Sequence, residues 1–321
     1  MKAIYCTKYG TPDDLQLLEI DMPVPVKNEL LIKVHATTIN DYDWSLIRGK
    51  PYIYRLLFGL RKPKNPVPGM ELAGMVEAVG SNVTLFKVGD EVYGDISDYG
   101  FGSFAEYCCI NEKAVVLKPA AMSFTDAASI PHASMLAYQA IVEKGNIKDG
   151  QTMLINGAGG GVGSFGLQIA RQFNVTITGV DAGDKFAMMK AAGFDECIDY
   201  AKEDFTKKGQ QYDLVIDAKT NRSPFAYLRS LNKNGKYVTV GGKLGRLLQL
   251  LFLKFWIRIF TNKKLIIVAL KPNRDLTYIH KLYAAGKIKP AIEGPYPLSE
   301  IPKAIQRFGE GKHKGKVVIT I

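Results

Sequence analysis

The clearest chemical signal in this chain is the run Leu154-Ile155-Asn156-Gly157-Ala158-Gly159-Gly160-Gly161-Val162-Gly163. Apolar residues precede it and follow it, so the glycines fall where a strand turns into a helix, the setting in which such a loop binds a dinucleotide. Gly160 lets the backbone approach a pyrophosphate, and Gly163 lets the helix pack closely on the sheet. The loop from Gly159 through Gly161 and Val162 leads into a helix N-terminus, whose free N–H groups favour negative charge. Ala158 stands where the strict pattern has its first glycine. A merely flexible turn is the bland alternative, and the flanking strand, helix and second strand argue against it. Asp181 ends that second strand 18 residues beyond Gly163. There a carboxylate accepts from the ribose 2′-OH of NAD and repels a 2′-phosphate. Lys185, four residues on, neutralises such a phosphate. A cap for a helix beginning at Asp184 is the structural alternative for Asp181.

These residues need a scaffold, and 321 residues correspond to two domains at ~150 residues each. With 47% hydrophobic and 23% charged residues, the chain can bury a large core without a disulfide or metal staple. A disordered tail, a collagen-like fibre and a small secreted scaffold are excluded. Residues 1–120 read as strands and turns, with runs such as Leu30–Val34 and Met75–Val79 between Gly, Pro and Asn. One short helical stretch, Tyr42–Ile47, interrupts them. Ser123 or Thr125 caps a helix, and strands then alternate with helices: 152–156, 162–173, 176–180, 184–192, 196–199, 212–217, 237–240 and 265–270. Apolar strands alternating with helices predict a parallel sheet covered on both faces. A helix over 276–285 and a strand over 316–321 are too short for a third domain and return to the first. The expected division is 1–120, 121–267 and 268–321.

Cys6, Cys108, Cys109 and Cys197 show no CxxC spacing, and no secretory signature opens the chain, so four reduced thiols in a cytoplasmic protein are expected. Net charge is unusual: 42 Lys+Arg against 31 Asp+Glu give +11. That balance calls for an acidic partner, whether nucleic acid, an anionic membrane or a phosphorylated ligand. Part of it clusters in 246–264, where Arg246, Lys254, Arg258, Lys263 and Lys264 accompany residues that are apolar nearly all round a helix. Leu247–Phe260 is 14 residues long, short of the roughly 20 that span a bilayer. Two readings stand for this segment. One is a Rossmann helix closing over substrate or buried in a dimer interface; the other is a peripheral membrane contact through Trp256 and its neighbours.

Asn40-Asp41-Tyr42-Asp43, Gly69-Met70-Glu71-Leu72-Ala73-Gly74, Val79-Gly80 and Val88-Gly89-Asp90-Glu91-Val92 add a further pattern. With Ala158–Gly163, Asp199-Tyr200 and Gly315-Lys316-Val317-Val318, they resemble one group of enzymes over essentially the whole chain. That group is the zinc-independent, quinone-oxidoreductase-like branch of the medium-chain dehydrogenase/reductase superfamily. The resemblance implies an α/β fold in which a GroES-like β-barrel domain is interrupted by a Rossmann doubly wound parallel-sheet domain. It also implies hydride transfer from NAD(P)H to a quinone or an α,β-unsaturated carbonyl, and a homodimer.

Zinc-dependent relatives have Gly-His-Glu where Gly69-Met70-Glu71 stands, and a ligand Cys near Asn40. A thioether and an amide are poor zinc ligands, so no zinc is expected. Asn40 matches the family's active-site Asn, which donates to the developing enolate oxygen; a turn residue before Asp41 is the alternative. Tyr42 and Tyr52 lie on the same segment, as proton donors or as packing aromatics. Tyr200 matches the residue that stacks the adenine in NADPH-using relatives, and Lys185 their 2′-phosphate lysine, while Asp181 departs from their small residue. NADPH is therefore the expected cofactor, with NADH as the alternative. Leu136 replaces a Thr on the nicotinamide side, and Ser134 is the hydroxyl one turn away. Gly241 and Gly242 should pass beside the nicotinamide carboxamide. Lys185 and Lys316 are assigned to a phosphorylated cofactor, and the substrate is a small lipophilic carbonyl or quinone. Competing readings are an acyl-thioester enoyl reductase and a regulatory or RNA-binding protein of the same fold. Against RNA, no RNP-type aromatic motif or Arg-rich tract appears.

Overall fold

The computed structural model describes residues 1–321. They divide into two compact units: Met1–His132 with Pro272–His280 and Ile292–Ile321, and Ala133–Lys271 with Lys281–Ala291. The chain opens with β1 (Lys2–Tyr5), β2 (Gln16–Glu19) and β3 (Glu29–Thr38), then α1 (Asp41–Arg48) and α2 (Ile53–Phe58). After these come β4 (Glu71–Val79), β5 (Glu91–Asp95), β6 (Tyr107–Asn111), β7 (Val116–Leu117), α3 (Phe124–Ser129) and α4 (Pro131–Tyr138). Strands and helices then alternate: β8 (Thr152–Asn156), α5 (Gly161–Ala170), β9 (Thr176–Asp181), α6 (Phe186–Ala192), β10 (Glu196–Asp199) and β11 (Tyr212–Asp217). The alternation continues with α7 (Pro224–Arg229), β12 (Leu231–Thr239), α8 (Leu244–Thr261) and β13 (Lys264–Ile267). The last elements are α9 (Leu276–Ala284), β14 (Ile292–Pro297), α10 (Ile301–Gly309) and β15 (Lys316–Thr320).

In the first unit β3 is the hub. It pairs antiparallel with β15, β4 and β6, in a seven-stranded sheet whose main order is β14-β15-β3-β4-β5-β7. Its β-branched and leucine-rich sequence is buried on both faces over most of its length. Ile32, Val34, Leu72, Val76 and Val92 form the core between strands. A second cluster joins Ile39 and Ile47 beside α1 to Ile301 and Ile305 of α10.

The second unit holds a wholly parallel sheet in the order β10-β9-β8-β11-β12-β13. β8 and β11, its central pair, carry Met153, Leu154, Val215 and Ile216, each at most 1% exposed. Burying one such side chain stabilises the fold by roughly 1.5–3 kcal/mol. α5 packs tightly through Phe165, Leu167 and Ile169.

The compact units divide differently from the expected boundaries at two places. The first falls at 132 rather than 120, because the His35 ring of β3 stacks on Phe124 with centroids 4.3 Å apart and holds α3 in the first unit. The return over 268–321 is also interrupted, since 281–291 belong to the second unit. There the Gln168 amide bonds both the N–H and the carbonyl of Lys289, at 2.7 and 3.1 Å. Ser123, not Thr125, caps α3: its Oγ accepts the Asp126 N–H at 3.1 Å.

Candidate functional site

In the second unit the strand order reverses between β8 and β11, the switch point at whose carboxyl end open α/β sheets bind ligands. The Gly157–Gly163 loop leaves β8 there. Gly157 has φ +95°, and the N–H groups of Gly157 and Ala158 both donate to the Val180 carbonyl, at 2.9 and 3.1 Å. Ala158 is buried, filling the place of the missing glycine. A Cβ on Gly163 would lie 2.4–2.5 Å from the Ala158 backbone, so only glycine lets α5 start this close. Gly160 is the N-cap and no side chain caps the helix. The first-turn N–H groups, those of Gly161, Val162 and Gly163, therefore remain available to an anion.

At the end of β9, Asp181 and Lys185 are 5% and 3% exposed and pair at 3.2 Å. Asp181 also accepts the Gly159 N–H at 2.8 Å and the Ala182 N–H at 2.9 Å. It does not cap α6, which begins after Lys185 without a side-chain cap. Tyr200 is exposed at the neighbouring strand end, and its N–H reaches the Asp181 carbonyl at 3.3 Å.

Asp217, 0% exposed at the end of β11, ties this crevice together. Asn156 Nδ2, the Lys219 and Thr220 N–H groups and Tyr237 OH all donate to it, at 2.8–3.0 Å. Gly242 has φ +128°, and a Cβ there would sit 2.5 Å from Thr220 Cβ. Thr239 and Thr220 both donate to the Gly241 carbonyl. Ser134 Oγ is buried with no partner in the protein.

The first unit holds a second polar centre, built on strand ends. Glu71 opens β4 and is 0% exposed. Its Oε2 accepts from Lys316 Nζ at 2.5 Å, Thr38 Oγ1 at 2.5 Å and Asn40 Nδ2 at 2.8 Å, while Oε1 accepts the His132 N–H at 2.6 Å. Lys316 Nζ also donates to Asn40 Oδ1. His132 Nδ1 meets Asp95 Oδ2 at 2.7 Å, and the other Asp95 oxygen accepts from the Ser97 N–H and Oγ.

Burial lowers the pKa of His132, but the bond and charge of Asp95, helped by Glu71, outweigh it and raise the pKa above its ordinary value. Burial raises the pKa of Asp95, and His132 with Ser97 more than reverses that. Asp43 is different. Burial pushes its pKa up to about 7, although the Asn40 N–H at 2.9 Å and the Gly69 N–H at 3.1 Å donate to it and Lys316 lowers it.

The sequence-derived candidates thus separate. Asn40 is 4% exposed, and both ends of its amide are engaged by Lys316, Glu71 and Thr38. In this arrangement it braces the Glu71–Lys316 pair. Lys316, expected at a cofactor phosphate, has its ammonium buried in the first unit against Glu71. Tyr42 stacks on Tyr54 at 5.8 Å, and burial raises its pKa, so it stays protonated at neutral pH as a hydrogen-bond donor. Tyr52 is 67% exposed beneath Arg55 and joins neither group. Tyr54, Phe58 and Phe101 continue the aromatic row. The row borders a cavity of about 260 Å³ within this unit, lined by Tyr9, Leu46, Leu57, Phe58 and Phe101 with Ser97 among its polar groups.

Asp95, His132 and Asp217 were missed as members of polar centres. A usable signal existed for Glu71 and Asp217, since a carboxylate beside residues that must be buried needs partners. The partners themselves lie 31–245 residues from Glu71 and leave no local trace. For zinc, the donors do not fit. Met70 is a buried thioether, Asn40 is committed to Lys316 and Glu71, and no three His, Cys, Asp or Glu side chains converge. The four sulfurs are free, and burial raises the pKa of each thiol.

Comparison with known proteins agrees with this architecture. Residues 26–120 match the alcohol dehydrogenase GroES-like domain, and 192–319 match a domain described as zinc-binding dehydrogenase. The chain is 33% identical to 2-methylene-furan-3-one reductase of Solanum lycopersicum, over 99% of its own length and 79% of the relative's. It is 31% identical to the chloroplastic NADPH-dependent alkenal/one oxidoreductase of Arabidopsis thaliana, over 99% and 79%. The solved quinone oxidoreductase from Coxiella burnetii superposes with a TM-score of 0.88 at 28% identity, covering 100% of this chain and 99% of that one.

Proposed function

This chain belongs to the medium-chain dehydrogenase/reductase superfamily, in its quinone-oxidoreductase-like branch, and from that membership we propose an NADPH-dependent reductase of quinones and α,β-unsaturated carbonyls. The observation that carries this reading is the Gly157–Gly163 loop at the switch point of the parallel sheet, with an uncapped helix behind it. When bound, the nicotinamide supplies a hydride to an electron-poor carbon of the acceptor. The chain's own task is to bind, orient and exclude water. The N–H groups at 161–163 hold the pyrophosphate, and Tyr200 offers an exposed ring for the adenine. Lys185 meets the 2′-phosphate once Asp181 shares it. Gly241, Gly242 and the unpaired Ser134 hydroxyl serve the nicotinamide end.

In the first unit the Glu71–Lys316–Asn40 cluster balances one buried charge with another, and Asp95 favours a proton on His132. Asn40 acts there as a positioning residue. The aromatic row of Tyr42, Tyr54 and Phe58 suits a lipophilic acceptor, a class also consistent with a membrane contact at 246–264. A homodimer is part of the proposal, because β13 ends the parallel sheet with its outer edge unpaired. Fluorescence titration with NADPH and NADH, followed by a screen of quinones against 2-alkenals and enoyl thioesters, tests the activity. Oxidation of neither cofactor by any acceptor refutes it.

A further inference from the structure

We propose that α8 (Leu244–Thr261) is a docking helix that lies on an anionic lipid surface. The inference is independent of the reductase reading and rests on how this one helix is packed. Eighteen residues make it about 27 Å long. Leu250 and Ile257, seven residues apart, are its only buried side chains and seat it on the second unit beside Tyr227, Leu231 and Leu265. Projected at about 100° per residue, the opposite half of the helix runs from Leu251 through Leu248 and Phe252 to Trp256 and Phe260. Each of these is at least 45% exposed. Gln249 is the one polar residue inside that arc. Trp256 and Phe260 stack with their planes 7° apart, and Phe255 meets Trp256 edge-on, so the outer face ends in an aromatic ridge.

The charge around this face selects the occupant. From Lys243 to Lys264 there are six Lys and Arg and no Asp or Glu. Lys254 and Arg258 border the apolar arc on one side and Arg246 borders it on the other. An apolar face edged by cations matches the interfacial region of an anionic bilayer, where aromatics sit among headgroups and Lys and Arg reach phosphate. A second copy of this chain fits less well, since an isologous contact would set one all-cationic segment against another. No helix is long and apolar enough to cross a membrane, so α8 lies along the surface.

The test is flotation of the full chain, without cofactor or acceptor, on vesicles of phosphatidylcholine alone and of phosphatidylcholine with phosphatidylserine. Binding to the mixed vesicles and little to the neutral ones is expected. At about 1 kcal/mol per surface cation, Lys254→Gln with Arg258→Gln should weaken binding roughly 30-fold. Trp256→Ser with Phe260→Ser should abolish it. All four side chains are exposed, and an unchanged thermal transition shows that the variants fold. The proposal is overturned if the wild type stays with neither vesicle, or if both variants float like the wild type. It also falls if Trp256→Ser dissociates a dimer while vesicle binding is absent, which would make the face a subunit interface. Because neither reductase activity nor cofactor enters the readout, its failure leaves the catalytic reading untouched.

Discussion

Replacing Lys316 with Met would leave the Glu71 carboxylate without its cation in a site where the two side chains are 4% and 0% exposed. Breaking a buried pair from one side costs about 3–5 kcal/mol, because the partner's desolvation is no longer offset. Three donors would remain on Glu71, from Thr38, Asn40 and the His132 backbone, which places the loss at the lower end, about 3–4 kcal/mol. Asp43 also feels Lys316, whose charge lowers its pKa, so the variant should protonate Asp43 more readily. At about 2–4 °C per kcal/mol for a unit of this size, the transition should fall by roughly 6–16 °C. Urea unfolding followed by far-UV dichroism measures it, with the midpoint lowered and the slope unchanged. Lys316→Met combined with Glu71→Gln removes the orphan charge and should recover at least half of the loss. A single variant within about 1 kcal/mol of wild type would refute the reasoning, as would a double variant no more stable than the single.

Asp181→Ser releases Lys185, so the ratio of NADH to NADPH dissociation constants should rise about tenfold, or 1.4 kcal/mol; an unchanged ratio in fluorescence titration removes Asp181 from cofactor selection. Gly163→Ala forces a Cβ to 2.4 Å from the Ala158 carbonyl oxygen, and the shifted loop should weaken NADPH binding by at least about tenfold. Asp43 is raised to about 7, so the native state favours its protonated form. The stability this confers is complete below the unfolded value near pH 4 and is lost as pH rises toward 7. Unfolding free energy should therefore drop by roughly 2–4 kcal/mol between pH 5 and 8, and Asp43→Asn should flatten that slope in urea titrations at both pH values.

Much of the second unit was legible because its information is local. The strands 152–156, 196–199 and 212–217 coincide with β8, β10 and β11, since short apolar runs between turn residues can do little else. The glycines at 157 and 163 carry their reason in the backbone, one through a positive φ and one through a contact with Ala158. The resemblance to a known family joins these elements to the β-rich unit from the sequence alone.

What the tertiary structure alone decided is which charges meet and which faces stay bare. Asn40, Glu71 and Lys316 converge across as many as 276 residues of chain, and Asp95 finds His132 from 37 residues away. Two lysines read as cofactor ligands, Lys185 and Lys316, turned out to be paired with Asp181 and Glu71. The helix at 244–261 was apolar nearly all round in sequence, and only packing showed that Leu250 and Ile257 face inward while Trp256 and Phe260 do not. The physical reason is common to all of these. Periodicity and backbone preference act between neighbours along the chain, whereas the pairing of buried charges and the choice of a buried face depend on what other segments bring within a few ångströms.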